Sequence, residues 1–540
     1  MNTKRVVAVS LTPRAFSALS AALLLGCCVA LASAAPPAAP PEVRGTWLTT
    51  TANDAISTPE KTAATMKRLR EIGINTVYVE CWKNGYTQFP SQTLKKVIGR
   101  DRRPALVKQD PGDDPDKSKS EGRDLLQETL IEAHRNGLIY IAWFEYGFMA
   151  AHKSFESELR QMKPEWLSKD IKGNTVAPNG FVWMNPLHPE ARRFLTDLVL
   201  EAIENYDLDG VQLDDRIVWP HITMGYDDYT REVYAKEHGG KQPPEDCHDA
   251  DWTRWRADKV NEYARQFVSE VRAKRPGIVI SLSPAPYPWV YDNYCLEWPK
   301  WATWSVADGG WDEFIPQNYR FSYDAYEKTW TEQLDWWRKL GEGRTVRDLI
   351  PGIRVVGEGK DSTWEDLRKS IELAREKGNG GHVLWFSRGV LDVYPKELTE
   401  FYDVKHKGMA ANPHFGADWR PLPLPLSQES DYKGGAVWTL DAKYANAASA
   451  DSTIIGLRDG VWKHLPLNES DRQHLAALRT GETTPFRFNV DSIPGHRPVE
   501  PGLQGIMQGG AARGPVGFDA VEIIPDRRGR MGSARKSPDR

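Results

Sequence analysis

The segment Asp209-Gly210-Val211-Gln212-Leu213-Asp214-Asp215-Arg216 is an apolar run that ends abruptly in two acids, a pattern suited to presenting carboxylates at the end of a β-strand. Side chains alternate across a strand, so Gln212 and Asp214 share one face while Val211, Leu213 and Asp215 share the other. If the bulky apolar pair faces a layer of helices, Asp214 points inward and Asp215 lies nearer the following loop, where it either acts or only braces the chain. A second acid, Glu145, follows the run Ile141-Ala142-Trp143-Phe144, and a charge after so apolar a run must sit at a wet end or be paired. A third run ends in Glu80-Cys81-Trp82; here Glu80 either joins the other acids or is neutralised by Lys83, Arg44 or another cation. Like charges brought together raise the pKa of one carboxyl, making it a general acid, while another stays ionised.

Such a gathering needs strands laid side by side, and the chain supplies them. Eight β-like runs (43–50, 75–82, 139–147, 208–216, 278–285, 313–319, 349–356 and 381–388) alternate with amphipathic stretches at 59–72, 125–136, 189–206, 252–274, 324–340, 364–377 and 394–402. The stretch after the fifth run, 298–306, has the weakest helical pattern. Cap signals support these bounds: Ser57-Thr58-Pro59-Glu60 and Asp361-Ser362-Thr363 precede helices, and Gly73, Gly137 and Gly378 stand where helices end. Eight strand-helix units over residues 42–405 predict an α/β fold of the (β/α)₈ TIM barrel type, whose loops after the strands build the active face. The long excursions follow strands two, three and four, and 108–121 is strongly polar. From 411 to 525 the pattern changes to short β-like pieces, predicting a small β-rich C-terminal extension, and 526–540 reads as a disordered tail.

Composition narrows the function classes. A formal net charge of -4 without long single-sign blocks offers no basic footprint, so nucleic acid is not expected as a partner. No glycine-rich phosphate turn follows the first strand and no P-loop is present, so neither a nucleotide nor another cofactor is implied. The 12 His are scattered and no zinc-type spacing occurs, so no metal is expected. Lys4, Arg5 and Arg14 precede an apolar run at 16–31, and Ala32-Ser33-Ala34 offers a cleavage site, so residues 1–34 read as a signal peptide of a secreted or periplasmic protein. Leu24-Leu25-Gly26-Cys27 also fits a lipoprotein box, which would attach the chain to a membrane through lipidated Cys27. Cys81, Cys247 and Cys295 are an odd number and imply no disulfide framework. The 21 Trp and 19 Tyr are either a surplus of sugar-stacking faces or an aromatic core.

Over residues 42–405 the chain resembles the secreted glycosyl-hydrolase-like proteins grouped with family ten, which include enzymes that cut bacterial cell-wall glycan. The motifs that carry the likeness occur in order: Arg44 to Thr49, Asn75 to Tyr78, Gly85-Tyr86-Thr87, Phe89-Pro90-Ser91, Ala142 to Phe148, Asn185-Pro186, His188-Pro189-Glu190, Asp209 to Asp215, Trp255 to Lys259, Ser281 to Pro284, and Pro316 to Tyr319. The resemblance implies a barrel, export and hydrolysis of a polysaccharide, with Asp214 at the matching strand-four acid. A two-carboxylate mechanism would then use Asp214 as nucleophile or base and Glu145 as proton donor, with Asp215 beside them. Gln317, Asn318 and Tyr319 at the sixth strand's end could hydrogen-bond sugar hydroxyls, with Glu80 and Gln212 at the same face. Trp82, Trp143, Trp219 and Trp385 either stack on sugar or pack in the core. The competing expectation is a glycan-binding cell-wall protein that uses the same barrel without turnover.

Overall fold

The computed structural model describes residues 39–106, 122–304, 310–341 and 343–415, with short stretches between 423 and 525. The expected leader at 1–34 with Cys27, the polar stretch 108–121 and the tail 526–540 lie outside the described residues. Eight parallel strands, β1 (Val43–Leu48), β2 (Thr76–Glu80), β3 (Ile139–Phe144), β4 (Gly210–Leu213), β5 (Val279–Leu282), β6 (Glu313–Phe314), β7 (Gly352–Arg354) and β8 (Gly381–Trp385), form one sheet. They pair in chain order from β1 to β6; β8 bonds both β1 and β7. Parallel bridges Phe314↔Leu349 and Gln317↔Gly352 join β6 to β7 and close the barrel. β6 is shorter than its apolar pattern because Pro316 has no N–H for the ladder.

The helix that returns the chain after each strand is, in order, α1 (Pro59–Ile72), α2 (Leu125–Arg135), α3 (Pro189–Asn205), α4 (Ala250–Lys274), α5 (Trp298–Trp301), α6 (Tyr323–Leu340), α7 (Trp364–Glu376) and α8 (Pro395–Tyr402), and shorter helices lie in the excursions. Thr58 caps α1 by accepting from Lys61 N, and Thr363 caps α7 by accepting from Asp366 N. Gly73 ends α1 in the left-handed region, φ 112°, where a side chain would be strained. α5 is a single turn, in keeping with its weak pattern. Trp82, Trp183, Trp219, Trp252 and Trp301 are fully buried, so much of the aromatic surplus serves packing.

A repeated clamp sets the base of the barrel. The residue just before β2, β4 and β6 reaches the preceding strand: Asn75 Oδ1 accepts from Arg44 N at 2.9 Å, Asp209 Oδ2 from Tyr140 N at 2.8 Å and Asp312 Oδ2 from Ile280 N at 2.7 Å. Before β8 the bond differs: Asn379, two residues ahead of the strand, donates from Nδ2 to Leu349 O at 2.7 Å. These bonds satisfy main-chain groups where the ladders begin and hold adjacent strands in register, which determines where their far ends stand.

Beyond the barrel, β9 (Leu424–Ser430), β10 (Ala436–Leu440), β11 (Thr453–Arg458), β12 (Val461–Leu465), β13 (Arg487–Asn489) and β14 (Ala520–Ile524) form an antiparallel sheet in the order β12-β11-β14-β9-β10-β13. It docks on α2, where Ile131 packs with Ile455, Trp462 and Ile524. Arg135 lies 4.1 Å over the Trp462 ring and donates to Glu522 at 2.8 Å. Cys81, Cys247 and Cys295 are free.

Candidate active site

The register of β2, β3 and β4 brings the acids together. Glu80 pairs with Trp143, and Phe144 with Leu213, so Glu145 and Asp214 leave adjacent strands side by side at the C-terminal rim. Two cations lie among the carboxylates. Lys83 Nζ donates to Glu80 at 2.8 Å and to Glu145 at 3.1 Å, and Arg216 Nη1 donates to Asp214 Oδ2 at 2.7 Å. Arg216 Nη1 also lies 3.3 Å from Asp215 Oδ1 and 3.8 Å from Glu145 Oε1. Four acids therefore share two cations. Among the described residues no three His, Cys, Asp or Glu side chains converge as a metal site.

Asp214 is buried and its carboxylate is fixed from every side. Trp143 Nε1 donates to Oδ2 at 3.2 Å, while Asp215 N, at 2.8 Å, and Gln317 Nε2 donate to Oδ1. Gln317 is itself held by Ser283 O at 3.1 Å. Burial, then the charge of Asp215 and that of Glu145, push the Asp214 carboxyl well above the ordinary range, against the pull of Arg216. Asp215 is more open, and burial with the Glu145 charge raises it too. Burial would also raise Glu145, but Lys83 and Arg216 outweigh it and hold this carboxyl below the ordinary range. Glu80, with its oxygens on Lys83 and on Thr50 N and Oγ1, is pushed up to about 7 by burial, and Glu145 adds to the rise.

Below the acids four aromatic rings fill the barrel. Trp47 contacts Trp143 at 6.4 Å and Trp385 at 5.8 Å, and Tyr319 stacks on Trp385 at 5.5 Å and 27°. Trp385 and Tyr319 are half-buried and face the mouth, whereas Trp143 is buried and acts on Asp214 through its indole N–H. Gln212 lies in the interior, accepting from Trp47 Nε1 at 2.8 Å and donating to Ser281 Oγ at 2.8 Å, so it braces this layer and is no substrate ligand. Glu80 likewise is buried against protein groups.

Three expected ligands stand elsewhere. Asn318 is fully buried and donates to Tyr326 O in α6, because it occupies the face opposite Gln317 and Tyr319. Trp82 turns into the hairpin of Trp82–Lys83 and Tyr86–Thr87, donates to Gly147 O at 3.0 Å and packs on Phe194. Trp219 donates to Met224 O at 3.0 Å and packs on Trp252 and Trp255 in the loop after β4. None of the three offers a free ring face or amide at the mouth. Conversely, Lys83 and Arg216 are central to the site, although the sequence marked the first only as a partner for Glu80 and the second only as the end of a motif.

The sequence is 24% identical over 385 residues to the glycosyl hydrolase YngK of Bacillus subtilis (strain 168), covering 62% of this chain and 67% of that protein. It is 24% identical over 379 residues to the glycosyl hydrolase DigH of Escherichia coli (strain K12), covering 61% and 79%. Among solved structures, the PgaB (BpsB) glycoside hydrolase domain of Bordetella bronchiseptica aligns with a TM-score of 0.49 and 14% identity over 69% of this chain and 99% of that one. The catalytic domain of the β-amylase of Paenibacillus polymyxa aligns with a TM-score of 0.45 and 10% identity over 69% and 100%. The profile of the glycosyl hydrolase-like 10 family matches residues 42–356, the span that contains the acids and seven of the eight strands, and the chain belongs to that family.

Proposed function

We propose that this protein is an exported glycoside hydrolase that cuts O-glycosidic bonds of an extracellular or cell-wall polysaccharide with two carboxyl groups. The observation that supports this most is the unequal setting of neighbouring acids on one rim. Glu145, between Lys83 and Arg216, favours the anion, while the Asp214–Asp215 pair favours holding a proton. The pair protonates the glycosidic oxygen as its bond to the anomeric carbon breaks. Water supplies hydroxyl to that carbon by one of two routes: directly, with its other hydrogen passing to Glu145 as base, or after Glu145 has itself bonded the carbon, with that hydrogen returning to the Asp214–Asp215 pair as Glu145 leaves as a carboxylate. Asp214, with both oxygens occupied, orients the pair, and the more open Asp215 hands over the proton. These roles reverse the ones expected from the resemblance, because both cations lie beside Glu145.

One observation favours a glycan-binding barrel without turnover: the donors around Asp214 satisfy it as a structural carboxylate would be satisfied. Release of reducing ends and binding, measured on peptidoglycan glycan strands, poly-hexosamines and neutral polysaccharides, separates the readings. Hydrolysis by the wild type, with a loss of about a hundredfold or more in Glu145→Gln and Asp215→Asn while binding persists, is expected. Binding without release by the wild type, unchanged in both variants, would establish the binding barrel instead.

A further inference from the structure

Of the described residues, the large apolar side chains that remain exposed gather at one end. Among the described residues, Phe155, Met162, Ile171, Val176, Trp289 and Phe321 all lie in the excursions after β3, β5 and β6, on the face that carries the acids. A lone exposed aromatic needs no explanation, but Trp289, 54% exposed, ends a series of ring contacts that starts near the acids, and Phe321, 66% exposed, lies across a glycine-bearing turn from the Tyr319–Trp385 stack.

The first series crosses the sector of β3 to β5. Tyr294 lies close enough to Asp215 and Arg216 to feel both charges, and its hydroxyl accepts from Asn179 Nδ2 at 3.2 Å. Its ring meets Trp183 at 6.3 Å, His221 at 5.7 Å and, outermost, Trp289 at 5.6 Å. The short helix Trp289–Tyr294 is pinned: Val290 is buried, and Trp219 N and Ile222 N donate to the carbonyls of Tyr294 and Asn293. Trp289 is therefore projected from an anchored turn, which holds its indole in place at small entropic cost to a ligand.

The second series crosses the sector of β6 to β8. Tyr319 stacks on Trp385, and the turn carrying Gly357 and Gly359 passes against Trp385 and Phe321. The Arg354 guanidinium lies 4.3 Å from the centre of the Phe321 ring and is held from below by Glu358 O at 2.8 Å, so one face of Phe321 is backed and the other is free.

We propose that Trp289 and Phe321 are sugar-stacking platforms at two outlying subsites, one in each sector, which hold several rings of a glycan chain across the mouth and direct cleavage to bonds inside the chain. The inference rests on the proposed hydrolase reading and adds to it the length of substrate recognised and the endo position of the cut. Stacking of a pyranose on an aromatic face is tolerant of the sugar's identity, so the proposal concerns chain length and leaves the sugar open.

The test uses the full chain with N-acetylglucosamine oligomers of three to eight rings and with peptide-free peptidoglycan strands, comparing wild type, Trp289→Ala, Phe321→Ala and Trp289→Tyr in binding, kcat, KM and product length. The expected result is a rise in KM of about tenfold on the longest chains for each alanine variant, shrinking as the chain shortens, with kcat little altered and recovery in Trp289→Tyr. The wild type should release internal fragments before single sugars. If wild type cuts but both alanine variants match it at every length, or if only terminal sugars are released, the platforms are refuted while the hydrolase stands. A wild type that neither binds nor cuts these chains, other poly-hexosamines or neutral polysaccharides removes the hydrolase reading and the platforms together.

Discussion

The two ends of the barrel both bury charge, but they balance it differently. At the base, Glu42 is gripped by Arg44 Nε at 2.7 Å and by Arg375 through Nε at 2.9 Å and Nη2 at 2.8 Å. Asp209 faces His134 at 2.9 Å, Arg272 bonds Asp312, and Glu313 lies between Tyr78 and His414, each at 2.9 Å. Every one of these acids meets a cation or donor of its own. At the rim, Glu80, Glu145, Asp214 and Asp215 divide Lys83 and Arg216 among them. Acids that each have a cation or donor of their own fix strands in place, whereas an excess of acid leaves protons free to move. The base therefore serves stability and the rim serves chemistry, in keeping with the division usual in barrels of this type.

The sharpest way to break this contrast is to remove the cation on which the rim depends most. Arg216→Met leaves Asp214, Asp215 and Glu145 with Lys83 alone, and should cost about 3–5 kcal/mol of stability at neutral pH together with activity. Asp214 and Asp215, already above their unfolded pKa values, would be raised further, and Glu145 would rise from below its own. Their penalty is fully felt above the folded pKa and fades as pH falls and they are protonated. Denaturant unfolding at pH 7.5 and pH 4.5 checks this: the deficit should be clearly smaller at the lower pH, and an equal deficit at both would count against the shared-cation account.

The matching change at the base has the opposite pH signature. Burial would raise Glu42, but Arg375, His382 and Arg44 outweigh it and hold this carboxyl at about 2. A depressed folded pKa contributes stability that is present above the unfolded value and is lost as pH falls towards 2. Glu42→Gln should therefore cost about 3 kcal/mol at neutral pH and progressively less below pH 4. Because Glu42 lies at the far end from the mouth, kcat of the folded variant should equal that of the wild type. A fall in kcat at unchanged folded fraction would show that the two ends are not separable.

How much of this was open to the eye in the sequence depends on whether a period or a neighbour decides the matter. α1 was readable to its ends because Thr58, Pro59 and Gly73 mark a cap, a first turn and a left-handed stop within the chain itself. The acids were readable because a charge after an apolar run must stand at a strand end. Alternation that separated Asp214 from Asp215 also separates Gln317 and Tyr319 from Asn318, so the buried position of Asn318 lay within reach of the same rule. Trp82 lay beyond it, since the strand stops at Glu80 and the chain turns into a hairpin where alternation no longer applies. The β1 to β8 closure and the position of Lys83 between Glu80 and Glu145 depend on inter-strand register, which no local pattern contains. Electrostatic roles follow from those neighbours, and so the proton donor could not be chosen from position along the chain.

Lys83 offers the finest test of the rim. Its ammonium lies 3.1 Å from Glu145 and 2.8 Å from Glu80, and with Arg216 it keeps Glu145 below the ordinary carboxylate range. In a bell-shaped pH–rate profile the acid limb reports ionisation of Glu145, and the alkaline limb reports loss of the proton from the Asp214–Asp215 pair. Lys83→Met removes one of the two cations that oppose burial at Glu145, so this carboxyl must rise and the acid limb should move up by about one pH unit, or about 1.4 kcal/mol. The aspartates keep Arg216, their nearest cation, and the alkaline limb should move less. Glu80, deprived of its cationic partner Lys83, should become neutral and remain bonded to Thr50. If the alkaline limb moves instead and the acid limb stays, Glu145 is the proton carrier and the roles assigned to the two sides of the rim must be exchanged.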